Sequence, residues 1–207
     1  MLPVGERPIL EVNIRRLVAF GIEDIYISVN YLREQITEYF GDGSAFGCRI
    51  QYITEDEPRG TMGALSLVPS TLSTSDVLLM NADLLSDIDL EAFYLHHRKT
   101  KSQLTVASVP HNVEIPYAIL EHDGNTVLQF SEKPTYTYLA NAGFYLFRKE
   151  LLKLVPGDQF YDATDFMSDV LSRDLPMSTF RILGYWNDVG SLNDYDKAQR
   201  DVLNLKL

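Results

Sequence analysis

Two aspartates follow strand-like segments, and their type and position suit the binding of a hard cation. Asp83 comes shortly after the apolar run Val77–Met80, which has the composition of a fully buried strand. Asp188 stands between the strand-like run Phe180–Leu183 and the helical pattern Leu192–Leu203. Mg²⁺ is typically held by one or two carboxylates together with substrate phosphates. The two aspartates therefore predict a magnesium site if they share one edge of a sheet; otherwise each one caps a turn or helix.

A small-residue turn offers a different kind of contact. The segment Gly60-Thr61-Met62-Gly63-Ala64 opens a helical pattern with two glycines and a threonine. Small side chains let a flat ligand approach the backbone, and free N–H groups at a helix start favour an acceptor. The alternative is an ordinary tight turn from a loop into a helix.

A third group combines a cation with a carboxylate. Glu132-Lys133-Pro134 ends a strand-like run, and proline prevents that strand from continuing. Lys133 is a compact cation that suits a phosphate, while Glu132 can accept hydrogen bonds from hydroxyl groups. A solvated Glu–Lys pair is the alternative.

The elements that must position these groups alternate between helix and strand. Apolar spacing predicts helices and strands in turn along the chain. Asp123-Gly124-Asn125, between two apolar runs, predicts an antiparallel hairpin. The pattern therefore predicts an α/β fold: one domain over residues 1–207, with a Rossmann-like, doubly wound, mostly parallel sheet and the hairpin as an addition. Ligands of such sheets bind at the carboxyl ends of the strands. The predicted helices cover residues 8–20, 31–40, 60–67, 90–100, 164–171 and 192–203, and the predicted strands cover 25–29, 49–54, 77–80, 104–109, 117–121, 126–130, 142–147 and 180–183.

Composition excludes several function classes. The formal charge of −11, with no Lys/Arg cluster, argues against a nucleic-acid partner. No apolar run reaches the roughly 18 residues of a membrane span, so we expect no membrane partner. A lone cysteine, Cys48, permits no intramolecular disulfide, fits a reducing cytoplasm and is expected to be buried. His96 and His97 have no Cys or acidic partner at metal spacing, and we expect them on a helix surface or partly buried.

The order of these motifs resembles one known family. The chain reads Met-Leu-Pro-Val-Gly at residues 1–5, Gly-Thr-Met-Gly-Ala at 60–64, Asn-Ala-Asp at 81–83, Tyr-Ala at 117–118, Glu-Lys-Pro at 132–134, Asn-Ala-Gly at 141–143 and Trp-Asn-Asp-Val-Gly at 186–190. This succession, which covers nearly all of the chain, is similar to that of sugar-1-phosphate nucleotidylyltransferases. The resemblance implies the nucleotide-diphospho-sugar transferase fold. It also implies a reaction that joins a nucleoside triphosphate to a sugar 1-phosphate and releases pyrophosphate.

The same resemblance implies roles for individual residues. Asp83 and Asp188 would hold Mg²⁺, and Lys133 would contact the sugar phosphate. Glu132, Tyr117 and Asn141 would hold the sugar, and Gly60 and Thr61, with the preceding loop, would face the base. Ala118 departs from the family pattern, in which glycine commonly follows the tyrosine, and its methyl group would lie near the sugar.

A second departure concerns the start of the chain. In the family a first strand ends in a glycine-rich loop ahead of the Met-Leu-Pro segment, and neither the strand nor the loop is in this sequence. The resemblance implies that this strand is central, so its two neighbours would be left with unpaired edges. We therefore expect most of the triphosphate site to be missing and turnover by this chain to be doubtful.

The sequence constrains the identity of the nucleotide and of the sugar less than it constrains the family. Glu55 stands five residues before Gly60, at the position that faces the base edge in the family, and a carboxylate suits the N–H donors of guanine. This favours GTP, in line with a resemblance to the hexose and glucosamine-1-phosphate guanylyltransferases of surface-polysaccharide and lipopolysaccharide pathways. An exposed, non-contacting Glu55 is the alternative. Whether the protein forms a homo-oligomer stays open.

Three other functions compete with this prediction. The first is thymidylyl or uridylyl transfer within the same family. The second is a non-catalytic paralogue that binds a sugar nucleotide and regulates a partner. The third is a glycosyltransferase with an Asp-x-Asp pair at its metal, and Asp83-Leu84-Leu85 does not have that pair.

Overall fold

The structure is a computed structural model that describes residues 2–69 and 72–205. None of the helices within these ranges combines the length and apolar character needed to span a bilayer. The strands of the described residues are β1 Pro3–Val4, β2 Arg7–Pro8, β3 Asp24–Val29, β4 Arg49–Thr54, β5 Asp76–Met80, β6 Leu84–Ser86, β7 Leu104–Glu114, β8 Ile119–Asp123, β9 Thr126–Ser131, β10 Thr135–Arg148, β11 Met177–Arg181 and β12 Trp186–Asp188.

The described part of the chain has six α-helices, five of them between strands and the sixth after β12. Short 3₁₀ turns at Ser44–Phe46, Ala64–Leu67, Lys149–Leu154 and Val202–Asn204 complete the connections. The helix predicted over residues 60–67 is therefore one α-helical turn followed by a 3₁₀ turn. The helices are α1 Ile9–Ala19, α2 Arg33–Phe40, α3 Gly60–Gly63, α4 Leu90–Thr100, α5 Ala163–Ser172 and α6 Leu192–Asp201.

The largest sheet has four strands in the order β11-β7-β10-β5. β11 is parallel to β7, and β10 is antiparallel to both β7 and β5, so three of the four strands point the same way. Alternate residues of β10 face opposite layers: Phe147 packs with Phe166 of α5, while Phe144 packs with Phe93 of α4. Helices therefore cover both faces, which confirms the predicted α/β fold with a mostly parallel sheet and antiparallel additions.

A second, two-stranded parallel sheet pairs β3 with β4. Its apolar residues pack against α1 and α2 in a separate cluster that includes Ile14, Ile27 and Phe40. Among the described residues β3 pairs only with β4, and β5 pairs only with β10. The unpaired sides of β3 and β5 both line a cavity of about 1370 Å³, and every residue of β5 is partly exposed.

The predicted hairpin is present as β8 and β9, and it extends from an arm that the sequence did not indicate. The outer halves of β7 and β10 pair from Glu114 with Thr135 to Pro110 with Leu139. Near the sheet the register shifts between Asn141 and Tyr145. Gly143, at φ +75°, allows this bend, because a Cβ there would lie 2.9 Å from Leu84 Cδ1.

Candidate functional site

Asp83 and Asp188 lie on neighbouring segments at one end of the sheet. Asp83 stands in the turn between β5 and β6, and β6 pairs with β12 in antiparallel register, with Leu84 opposite Asp188. The Val189 N–H donates to the Asp83 carbonyl at 3.2 Å. The expectation that these two aspartates share one edge is therefore met, although their role as metal ligands stays a prediction.

The acidic neighbours of Asp188 influence its pKa. Burial raises the pKa of Asp188, and the charges of Asp83 and then Asp194 raise it further. A nearby like charge disfavours ionisation unless a cation balances it. No group of three or more His, Cys, Asp or Glu side chains suited to a metal occurs among residues 2–69 and 72–205. Two neighbouring carboxylates, with water and substrate phosphate completing the shell, are a set of donors that would fit Mg²⁺.

Trp186 connects this pair to the bend in β10. Its indole Nε1–H donates to the carbonyl of Ala142 at 2.9 Å, and the Asn81 N–H donates to the carbonyl of Gly143 at 3.0 Å. The segment around Asn141 is thereby tied to the segment that carries Asp83. The motif that contains Trp186 does not predict this contact, because its partner lies 44 residues earlier in the chain.

The side chain of Asn141 is engaged within the protein. Its Oδ1 accepts from the Gly143 N–H at 3.0 Å, and its Nδ2 donates to the Tyr145 hydroxyl at 2.7 Å. Burial raises the pKa of Tyr145, the hydrogen bond from Asn141 opposes this, and the charge of Asp162 raises it again. Asn141 is therefore held rigidly at the base of the arm, and its contact with a sugar stays a prediction.

The helix start at Gly60 differs from the prediction. Its amides were expected to be free for a ligand, but Thr61 N–H donates to Asp162 Oδ1 at 3.1 Å. The N–H groups of Met62 and Gly63 both donate to the Tyr161 carbonyl, at 3.1 and 3.0 Å. The expectation of free amides at Thr61, Met62 and Gly63 is therefore wrong, because a segment about 100 residues later satisfies them. What remains open to a ligand is the surface of Gly60 and Thr61, which lines the cavity.

Glu55 is also engaged within the protein. One carboxylate oxygen accepts from the Ser28 hydroxyl, and the other accepts from the Arg59 N–H at 2.9 Å. The Glu55 carbonyl accepts from Asn30 Nδ2 at 2.7 Å. Glu55 thus braces the loop before Gly60 against the end of β3, so the alternative of a non-contacting carboxylate does not describe it, and its contact with a base stays a prediction. Since a carboxylate has about four lone-pair sites, about two remain for a ligand.

The remaining predicted residues lie on the arm and are exposed. Tyr117 and Ala118 stand between β7 and β8, with Tyr117 72% exposed. Glu132 and Lys133 form the turn between β9 and β10, and Lys133 adopts φ +43°. Within the described residues Lys133 makes no ion pair. These four side chains do not line the cavity beside β5, whereas Glu55, Gly60, Thr61 and Asp83 do.

Two other residues with chemically reactive side chains, Cys48 and His97, have structural roles. Cys48 is buried, its thiol contacts the Gly43 carbonyl at 3.6 Å, and burial raises its pKa, so the thiolate form is disfavoured. His97 is fully buried against Thr105 at 2.7 Å, with Asp76 at 3.8 Å from its other nitrogen. The expectation that His97 is at most partly buried is wrong, because its helical position faces the sheet.

Comparison with known proteins identifies the family of the chain. The nucleotidyl transferase family profile matches residues 1–204. UTP–glucose-1-phosphate uridylyltransferase of Synechocystis sp. is 28% identical over 226 residues, covering 100% of this chain and 58% of the relative. Mannose-1-phosphate guanylyltransferase of Mycobacterium tuberculosis is 29% identical over 210 residues, covering 98% of this chain and 58% of the relative. The chain thus spans 58% of the length of both relatives.

A solved structure shows the same fold. HddC from Yersinia pseudotuberculosis superposes with a TM-score of 0.74 at 24% identity, covering 98% of this chain and 88% of that one. HddC has also been solved in complex with GMP-PN. Together with the family profile, which matches residues 1–204, this shows that the chain belongs to the nucleotidyl transferase family.

Proposed function

We propose that this protein transfers a nucleotidyl group from a nucleoside triphosphate, with GTP favoured, to a sugar 1-phosphate. A phosphate oxygen of the sugar 1-phosphate attacks the α-phosphorus, the bond from that phosphorus to the bridging oxygen breaks, and pyrophosphate leaves. The observation that carries the proposal is the pairing of the Asp83 and Asp188 segments through β6 and β12, where burial and the charge of Asp83 raise the pKa of Asp188. Asp83 also lines the cavity that Glu55, Gly60 and Thr61 line. The attacking oxygen is already anionic, so the protein needs to supply position and charge neutralisation rather than a nucleophile.

In this proposal Asp83 and Asp188 hold Mg²⁺. When bound, the ion would supply positive charge against the phosphates. Lys133 would hold the sugar phosphate with its ammonium group, and it is available for this because it has no ion-pair partner among the described residues. Glu132, Tyr117, Ala118 and Asn141 would hold the sugar on the inner side of the arm.

The preference for GTP has partial support. Glu55 keeps acceptor capacity beyond its two internal hydrogen bonds, which suits the guanine N1–H and amino group. One relative is named a guanylyltransferase and HddC binds GMP-PN, while another relative is named a uridylyltransferase. We place the reaction in the cytoplasm and its product in surface-polysaccharide or lipopolysaccharide assembly.

We further propose that residues 1–207 form a single domain whose sheet takes one more strand. The cavity between β3 and β5 is flanked by two unpaired strand edges, and Leu2 lines it. A further strand in this cavity would join the two sheets, and a glycine-rich loop after it would present backbone N–H groups to the triphosphate.

The test is a substrate panel with the chain alone and with a first strand and glycine-rich loop of the family type joined ahead of Met1. Each is assayed for pyrophosphate release with GTP, dTTP and UTP against glucosamine, mannose and glucose 1-phosphates. We expect the extended protein to prefer GTP, and Asp83→Asn and Asp188→Asn to reduce its turnover at least roughly 100-fold. A clear preference for dTTP or UTP would contradict the guanine proposal. Nucleotide binding without any pyrophosphate release would favour the regulatory paralogue.

A further inference from the structure

A buried amide in the first long helix contacts the turn that carries Asp83. Asn13 lies in α1 and is 4% exposed, between apolar neighbours such as Ile14 that pack into the core. A buried side-chain amide is costly unless its hydrogen bonds are satisfied. Its partners therefore indicate what it does for the fold.

Both partners of Asn13 are backbone carbonyls on either side of Asp83. Asn13 Nδ2 donates to the Leu84 carbonyl at 2.9 Å and reaches the Ala82 carbonyl at 3.4 Å. The carbonyl between them, that of Asp83, accepts from the Val189 N–H at 3.2 Å. Three successive carbonyls are thus held, two by α1 and one by the residue after Asp188.

This arrangement fixes the direction in which the Asp83 side chain leaves the backbone. Rotation of the peptide units at Ala82 or Leu84 would turn a carbonyl away from Asn13 and leave the amide unsatisfied in the core. The Val189 bond ties the same turn to the strand of Asp188, so the spacing of the two carboxylates depends on both supports.

We propose that Asn13 is a positioning residue for the metal carboxylate Asp83. This inference rests on the proposed function, since it assumes that Asp83 and Asp188 bind a divalent cation. Asn13 itself would touch neither metal nor substrate. Groups that orient metal ligands typically contribute roughly 10- to 100-fold to metal affinity.

The test uses Mn²⁺ alone, titrated into the chain and followed by electron paramagnetic resonance. Asn13→Leu keeps a similar volume and removes the donor, and Ile14→Val is the control in the same helix, buried but without contact to the turn. We expect Asn13→Leu to weaken Mn²⁺ binding roughly 10- to 100-fold and to alter the spectrum of the bound ion. Ile14→Val should change neither one, while circular dichroism shows all variants folded.

Two further variants separate the possible failures. Asp83→Asn should abolish Mn²⁺ binding; if it does not, or if the wild type binds none, the proposed metal site fails and this inference fails with it. If Asp83→Asn abolishes binding while Asn13→Leu behaves like Ile14→Val, only the inference is wrong. Should Asn13→Leu not fold, Asn13→Ser is measured against the same criterion.

Discussion

Asp188 is an exposed residue at the end of β12, yet partial desolvation and its acidic neighbours disfavour its charged form. Burial and the charge of Asp83 raise its pKa, and among the described residues it has no salt-bridge partner. Residues placed for function often reduce the stability of the fold in this way. A bound cation would relieve the destabilisation that the charge of Asp188 causes.

We predict that Asp188→Asn raises the melting temperature near neutral pH in the presence of EDTA. A carboxyl group whose pKa is raised in the fold destabilises it above that pKa, and the effect disappears as falling pH protonates the group. The gain should therefore shrink as the pH falls through the raised pKa of Asp188. Thermal melts of wild type and variant across this range measure it, with Asp123→Asn, at the hairpin tip, as control. A gain that is independent of pH would contradict the explanation.

At the scale of single residues, the sequence predicted which side chains belong to the candidate site better than it predicted their hydrogen-bond partners. Asp83 and Asp188 were predicted from their places after strand-like segments, but those segments correspond to β5 and β11, at opposite edges of the four-stranded sheet. The pairing of β6 with β12, which the sequence did not predict, brings the two aspartates together. The engagement of Glu55 by Ser28 and of Thr61 by Asp162 was missed, because those partners lie 27 and 101 residues away. No local pattern predicts such pairs before the topology is known.

At the scale of elements, the turn at Gly60 depends on close packing as well as on backbone conformation. Gly60 adopts φ +77°, and a Cβ there would lie 2.7 Å from Asp162 Oδ1 and 2.8 Å from the Tyr161 carbonyl. Gly124 at the hairpin tip has φ +55° with nothing within 4 Å. The two glycines therefore share the conformational requirement and differ in crowding.

We predict that Gly60→Ala costs about 2–5 kcal/mol of unfolding free energy, from strain plus overpacking. Gly124→Ala should cost only about 1–2 kcal/mol, from strain alone. Urea titrations of both variants give the comparison. Equal costs would show that the contact with the Tyr161–Asp162 segment does not constrain this turn.

Element boundaries were predictable where burial sets the pattern. The strand predicted over residues 142–147 is the buried part of β10, which begins at Thr135. Its outer part pairs with His111, Asn112 and their neighbours on β7, and both segments are exposed. Residues 135–138 alternate Thr with Tyr, but this short pattern lies on an exposed arm without a buried core face, and only the hairpin beyond it was predicted from the sequence.

At the scale of the whole molecule, the alternation of helix and strand predicted an α/β fold, and this is confirmed. Among the described residues the four-stranded sheet and the β3–β4 sheet are separate, because β3 and β5 do not pair across the cavity. A strand that filled this cavity would be buried on both faces, so it should be a continuous apolar run.

We predict that a designed strand, Val-Ile-Val-Ile-Val, joined ahead of Met1 by a flexible linker stabilises the chain by at least ~2 kcal/mol, since burial of its side chains exceeds the entropy of ordering them. The matched control, Val-Ile-Pro-Ile-Val, lacks a central N–H and should not. Amide hydrogen exchange should slow in β3 and β5 only with the first extension. Equal behaviour of the two extensions would contradict a strand site. If amide exchange in β3 and β5 of the unextended chain instead slows as the protein concentration rises, a second copy of the chain fills the cavity.

The central claim is that Asp83 and Asp188 bind one divalent cation between them, and a double-mutant cycle on Mn²⁺ affinity tests it most directly. The affinities of the wild type, Asp83→Asn, Asp188→Asn and the double variant are measured under one condition. If the ion is shared, each single change should lose nearly as much binding as both together. Losses that add independently, or a single variant that keeps wild-type affinity, would contradict the claim.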